Sequence, residues 1–512
     1  MVAVAVVTIV SGLYGTRTRS TSDFLVASRT MGPRWNAAAI SGEFLSAASF
    51  LGIAGLVFKG GLDALWYPVG FTAGYLALLL FVAAPLRRSG AYTLPDFAEE
   101  RLGSARLRKI CTGFVIIICW LYLVPQLQGA GLTIATVSNM KYSQWVGAAV
   151  VMVIVTFNIY TGWMRSITVV QAFQYWIKLT ALAVPVFVLL IHHASRDTAF
   201  RSSPGATVDN ETWLLPFSSS VHNPLLATYS LVLALMLGTM GLPHVLGRYY
   251  TNPDGLAARK TTLVVLALLG VFYLFPMISG WLARLYVPEL LDTGNTDAAL
   301  LLLPLAALGG WPAQLLCGLI AAGAFAAFVS AASGLVISVA GVLSSDVLPG
   351  RLRGFRVATL AAWPVPLAFA LAVSSLDLAQ SVGLAFAVAA SSFCPLLVLG
   401  IWWRGLTDAG AAAGLLVGGG SALLAVLSAA VGVLPSGWQA VLGQPAVFTV
   451  PLAFLTMVVV SRRTPDRVPI DVTRILLRLH APDRLGLAED RDIARFGMAA
   501  TLLRPRGGRH RR

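Results

Sequence analysis

The sequence predicts an all-α polytopic membrane protein, and three observations carry that reading. Of 512 residues, 57% are hydrophobic and only 12% are charged, against roughly 25% charged in a soluble domain. Thirteen apolar runs reach or approach the length needed to span a membrane; crossing a hydrocarbon core of ~30 Å takes about 20 residues. The 37 lysines and arginines fall almost entirely between those runs. Such a composition excludes a soluble enzyme. The formal net charge of +15 does not point to nucleic acid either, because that reading needs a basic patch on a soluble fold.

The runs cover residues 2–15, 36–58, 66–86, 111–138, 144–163, 168–192, 224–246, 261–286, 311–343, 357–376, 380–403, 411–434 and 445–461. The first is short, lacks the basic n-region of a cleavable signal, and leads straight into Arg17 and Arg19. If the connections alternate sides, 31 of the 37 basic residues share one side and five, Lys59, Lys141, Arg196, Arg201 and Arg284, lie on the other. Without the residues after Ser461 the bias is still 18 to 5. Cytoplasmic connections carry the lysine and arginine excess, so the expectation is a plasma-membrane protein with its N-terminus outside and its C-terminus in the cytoplasm. Trp66, Tyr67, Trp145, Trp281, Trp402 and Trp403 stand at run ends, where amphipathic rings favour the interface. The longest external connection is 194–223, and the arginine-rich tail carries an apolar pattern in Ile475, Leu476, Leu477 and Leu479, which suits the membrane surface.

Two runs hold the chemistry of an interrupted helix. The second contains Ser41-Gly42-Glu43-Phe44-Leu45-Ser46 inside apolar sequence, and the seventh contains Gly238-Thr239-Met240-Gly241-Leu242-Pro243-His244. Proline removes a backbone donor and clashes with the preceding turn, and glycine costs about 1 kcal/mol within a helix. Helix breaks of this kind supply mid-membrane binding sites in transporters of small solutes. The two runs stand five apart, as the opening helices of a five-plus-five inverted repeat would. Glycine also permits close helix packing, and Gly414 and Gly418 are expected to do only that.

Ionisable residues within membrane runs are functional candidates by default. Glu43 and Lys178 qualify; either can serve coupling, or Lys178 can lock helices together in a structural ion pair. Ser330 and Ser333 share a face one turn apart; their hydroxyls suit a hard cation, or bond to their own backbone one turn back. Cys111, Cys119, Cys317 and Cys394 have no metal-ligand spacing and read as small hydrophobes. His192 and His193 are adjacent and face different ways. There is no GxxxxGK[ST] phosphate loop, so the energy must come from an ion gradient or a partner.

The segment Gly238–His244, followed by Arg248-Tyr249-Tyr250-Thr251 and Ala258-Arg259-Lys260, resembles the seventh-span signature of the sodium:solute symporter family, and more narrowly its cation/acetate symporter branch. Ser46-Ala47-Ala48-Ser49-Phe50-Leu51-Gly52, Tyr92-Thr93-Leu94-Pro95-Asp96-Phe97 and Val382-Gly383-Leu384-Ala385-Phe386-Ala387 agree with it. The resemblance covers roughly residues 22–490. It implies a leucine-transporter-like fold, with ion ligands at Ser41, Gly42, Leu45, Ala327 and Ser330. Sodium-coupled branches carry a second hydroxyl directly after the position of Ser330; here that position is Ala331, so one ligand oxygen is missing and proton coupling stays open beside sodium. Trp403-Arg404-Gly405-Leu406-Thr407 also departs from the family pattern, with its base one place early.

These readings give an N-terminal helix and loop (1–35), a first repeat (36–192), an external loop (193–223), a second repeat (224–403), two peripheral helices (404–461) and a basic tail (462–512). The expected activity is symport of a small monocarboxylate, acetate first, with Na+ or H+. Ser46, Gly238, Thr239 and Gly241 would meet the substrate, and Pro243 would complete the second break. Proline or pantothenate are alternative substrates, and a membrane sensor with a symporter-like domain is an alternative role. No cofactor, enzyme activity or nucleic-acid partner is expected; the substrate and membrane lipid are the partners, and a monomer suffices.

Overall fold

The computed structural model describes residues 29–138, 143–161, 164–195, 210–217, 223–348, 351–372, 377–431 and 443–485. The run at 2–15 and most of the tail lie outside the described residues. All regular structure among the described residues is helical.

The chain enters the membrane at Gly32-Pro33, where proline opens α1 (Pro33–Phe44); its missing N–H is no loss in a first turn. After a break at Leu45–Ala47, a π-turn (Ala48–Gly52) leads into α2 (Ile53–Gly60) and a 3₁₀ turn (Gly61–Leu65). The first half continues through α3 (Trp66–Phe81), α4 (Ala83–Arg88), α5 (Leu94–Leu102), α6 (Ala105–Ser138), α7 (Ser143–Thr161) and α8 (Met164–Ala194). A second broken helix follows as α9 (Pro224–Thr239) and α10 (Pro243–Tyr249), then α11 (Gly255–Tyr286), α12 (Leu290–Thr293), α13 (Ala299–Ala307) and α14 (Gly310–Asp346). α15 (Arg351–Ala361), α16 (Pro364–Ala372) and α17 (Leu378–Trp402) close the second half. α18 (Asp408–Gly414), α19 (Gly420–Val431), α20 (Ala446–Arg463) and α21 (Val472–His480) come last.

Ten helical stretches among the described residues are long and apolar enough to cross a membrane, so the expected count of thirteen is not reached. Each difference has a reason. The run at 2–15 is not described. Parts of the second and third runs fall in one continuous helical stretch, Ala48–Phe81, which turns at Gly61 (φ 64°) and so counts once although it holds two runs. The fifth run forms α7, whose apolar part, Trp145–Tyr160, is shorter than a full span.

Exposed Leu76, Phe187, Ile191, Leu263, Leu424 and Leu455 give the outer surface an apolar character that suits hydrocarbon, where backbone groups must be satisfied within helices. Lipid tails are as apolar as these side chains, so helices associate through close packing rather than hydrophobic driving force. A methyl group added at Gly418 would lie 2.3 Å from Ala453 Cβ, and one at Gly414 would lie 2.1 Å from Met457 Cγ, the packing role expected of both. α17 is the most enclosed span and packs against α9 and α6, while α1 packs against α8, α11 and α14. The two breaks are thus held inside the bundle. On one side the segment 210–217 closes over the turn at Gly61: Leu62 N donates to Trp213 O at 3.2 Å. Gly61 has a positive φ of 64°, and a Cβ there would lie 1.8 Å from Trp213 O, so only glycine fits.

Candidate functional site

At the first break, Leu45 leaves the helix with ψ of 84°, which strips carbonyls and amides of intrahelical partners and demands replacements. Gln126 of α6 supplies one, its Oε1 accepting from Ala47 N at 2.9 Å. Lys178 of α8 supplies others. Its Nζ donates to Gly42 O, to Leu45 O at 2.8 Å and to Ser330 Oγ at 2.5 Å. Ser330 Oγ lies 2.8 Å from Gly42 O and 3.1 Å from Ala327 O, and donates to them in turn. Three of the five residues expected to ligate an ion, Gly42, Leu45 and Ser330, therefore meet at the lysine ammonium, and a fourth, Ala327, joins them through the Ser330 hydroxyl. The fifth, Ser41, is fully buried beside them in sequence, and its hydroxyl has no hydrogen-bond partner among the described residues.

Glu43 does not pair with Lys178. Its Oε2 accepts from Arg248 Nε at 2.6 Å, with both side chains almost wholly buried. Arg248 also donates to Thr168 Oγ1 at 2.8 Å and to Gln171 Oε1, while Asn36 Nδ2 donates to Arg248 O at 3.0 Å. Arg248 was expected in an exposed basic connection; the structure buries it, because α10 continues inward beyond residue 246 and carries it under α1. Thr168, Gln171 and Lys178 lie on one face of α8, a polar stripe in an apolar run that flags α8's share of the network.

The second break follows from three residues. Gly241 N donates to Gly238 O at 2.8 Å, closing a turn. Leu242 is extended, as a residue before proline prefers, and Pro243 starts α10. Gly238 and Gly241 lie flat on α17: added Cβ atoms would stand 2.5 Å from Phe386 O and 2.5 Å from Ala389 O respectively. Thr239 Oγ1 donates back to Leu235 O at 2.7 Å, one turn earlier on its own helix.

Aromatic side chains connect the two breaks. Tyr122 Oη lies 3.4 Å from both Phe44 O and Ser46 Oγ on the first. Its ring sits 5.1 Å from His244 on the second and 5.8 Å from Phe386. Phe44 in turn contacts Phe71 at 5.4 Å and Tyr75 at 4.9 Å. Tyr75 Oη and both ring nitrogens of His244 are buried without hydrogen-bond partners among the described residues, which is unusual for such groups. A cavity of about 50 Å³ adjoins His244 and is lined also by Glu43, Arg248, Gly334, Ser338, Tyr92 and their neighbours.

Of the residues expected at the site, Ser46, Glu43, Lys178 and the four cage residues come together at the first break. Gly238, Thr239, Gly241 and Pro243 shape the second, where the glycines are packing surfaces against α17. Tyr75, Tyr122, Gln126, Gln171 and Arg248 were not singled out as site residues. Most of these come from helices with no local signal, and only the α8 stripe was readable. No cluster of metal-ligating side chains occurs among the described residues; the transported cation is cargo rather than a cofactor.

The sodium:solute symporter family model matches residues 24–418. An uncharacterized symporter of Bacillus subtilis (strain 168), YwcA, is 33% identical over 467 residues, covering 86% of this chain and 88% of the relative. A Na+-coupled sialic acid symporter in its substrate-bound outward-open state superposes with a TM-score of 0.62 at 15% identity, covering 90% of this chain and 96% of that one. The nucleobase-cation-symport-1 family transporter Mhp1, in a closed conformation, gives a TM-score of 0.52 at 13% identity over 90% of this chain and 99% of its own. The fold is therefore leucine-transporter-like, as the spacing of the two breaks implies, and the match extends over most of the chain. On that match, the chain belongs to the sodium:solute symporter family.

Proposed function

We propose that this cation-coupled symporter takes up a small monocarboxylate, with acetate as the first candidate. The supporting observation is the apolar ring cluster between the breaks, where Phe44, Phe71, Tyr122 and Phe386 pack with centroids 5.1 to 6.1 Å apart, surroundings too apolar for a large polar solute. Unpartnered Tyr75 Oη and the His244 imidazole face the same group of rings. A hydroxyl and a ring N–H are donors suited to a carboxylate, and the N-terminus of α10 adds partial positive charge. So apolar a setting disfavours the extra polar groups of proline or pantothenate, and a short chain is favoured. In this reading the two five-span groups, 36–192 and 224–403, rock against each other in a monomer in the plasma membrane.

Uptake of labelled acetate into proteoliposomes tests the reading, with rates taken above protein-free vesicles because acetic acid crosses lipid unaided. The expected result is saturable, gradient-dependent uptake that short carboxylates compete for and proline does not. His244→Ala should reduce the rate at least about tenfold, the consequence of losing one charge-assisted hydrogen bond of about 1.5–3 kcal/mol. Absence of saturable uptake would remove acetate as substrate, and competition by proline alone would select the alternative.

A further inference from the structure

The point where the family resemblance puts a transported cation is filled by a side chain. Lys178 is fully buried, and an ammonium has three N–H donors and no acceptor. All three donors are spent on Gly42 O, Leu45 O and Ser330 Oγ. Two of these acceptors are carbonyls freed by the break in α1, and the third is on α14, so one ammonium fastens the broken helix to α8 and α14 at once. A free cation at this point would have to displace it. We propose that Lys178 is the coupling site of this transporter: its ammonium is a tethered replacement for a bound metal cation, and the driving ion is a proton that binds to and leaves Nζ. The inference rests on the symport reading above but not on the identity of the substrate.

The step balances simply. When Nζ releases its proton to water, it keeps a lone pair and two N–H groups. One of the three oxygens then loses its donor, and the Ser330 hydroxyl can turn its hydrogen from Gly42 O or Ala327 O to the lone pair. The clamp between α1 and α14 loosens as a result. Uptake of a proton from the opposite side restores it. The charged and titratable groups on the surrounding helices are few. α1 contributes Arg34 in its first turn and Glu43, adjacent to Gly42 and already paired with Arg248 of α10. α11 contributes Tyr273, whose hydroxyl lies 3.0 Å from Ser49 Oγ, with Arg259, Lys260, Arg284 and Tyr286 toward its ends. α13 contributes none, α14 has Cys317 in its second turn and Asp346 at its last position, and α8 itself adds Tyr175, whose hydroxyl donates to Leu268 O at 3.0 Å, and Arg165, His192 and His193 near its ends. The cavity lined by Glu43 and Arg248 adjoins this cluster through Glu43, the residue next to Gly42.

Two measurements test this. In the first, thermal unfolding of the purified protein in detergent is compared in NaCl and choline chloride at equal ionic strength, with no substrate present. The native chain should show no sodium-specific shift up to 100 mM in order of magnitude, whereas Lys178→Ala or Lys178→Ala/Ala331→Ser, which vacates the cage and adds a hydroxyl beside Ser330, should gain a rise of about 2 °C or more. A sodium-specific rise in the native chain, or none in either folded variant, overturns the proposal. In the second, native proteoliposomes should accumulate labelled acetate under an inward proton gradient and gain nothing from an inward sodium gradient, while Lys178→Gln should lose accumulation at least tenfold yet retain acetate exchange. Dependence on sodium in the native chain overturns the proposal even if no variant folds. If acetate is not carried at all, the substrate reading fails and the sodium measurement still decides the coupling ion.

Discussion

Glu43 and Arg248 are separated by 205 positions and meet at 2.6 Å with almost no water. Removing one member of a buried pair leaves an uncompensated charge, at about 3–5 kcal/mol, whereas replacing both by neutral groups of similar size is often nearly neutral. Glu43→Gln should therefore lower the unfolding temperature sharply, and Glu43→Gln/Arg248→Met should recover much of the loss. Thermal unfolding of the three proteins in detergent measures this, and additive losses would mean that the two side chains are not coupled. Glu43 and Lys178 were legible in the sequence because an ionisable residue inside an apolar run stands out. Their partners were not. Arg248 follows the seventh apolar run and looks like an ordinary loop base, and nothing local says that α10 tucks it beneath α1.

The second break was readable from three residues, because proline and glycine restrict the backbone in known ways. The first break has no proline, and what stabilises it comes from elsewhere: Gln126 on α6 and Lys178 on α8 replace the lost backbone partners. A sequence can thus announce that a helix is weak without naming the side chains that make the interruption affordable. The glycines of the second break carry a sharper expectation than their backbone freedom alone. Gly241→Ala would place a methyl 2.5 Å from Ala389 O, and Gly238→Ala one 2.5 Å from Phe386 O, both on the backbone of α17. Neither helix can yield without moving the break, so each variant should be destabilised by about 1–3 kcal/mol and should lose transport. Gly270→Ala in α11 meets nothing within 4 Å and should be neutral or stabilising by up to about 1 kcal/mol. Unfolding temperatures of the three variants separate steric crowding from a general intolerance of substitution.

Across the molecule, the arginine-rich connections converge on one face and are tied together there. Arg108 of α6 bridges Asp96 and Glu99 of α5 and Asp346 of α14, at 2.6, 2.5 and 2.6 Å. α21, expected on the lipid surface, is also pinned to the protein: Arg478 pairs with Glu100 at 2.8 Å, and just beyond it Asp483 takes Arg88 at 2.9 Å while accepting from Gly255 N and Leu256 N. Its apolar stripe was legible, but whether such a stripe meets lipid or protein depends on an acidic partner that only the fold brings near. The charge bias carries an orientation with it: positive connections stay in the cytoplasm, so the face bearing Arg108 and α21 should be inside and the segment that closes over Gly61 outside. Glu211 is exposed on the second and Ile470 is fully exposed on the first. The native cysteines are buried except for Cys317, which is partly so; a Cys317→Ala background therefore leaves little to react. In intact cells an impermeant thiol reagent should label Glu211→Cys at once and Ile470→Cys only after permeabilisation. The reverse pattern would invert the protein in the membrane.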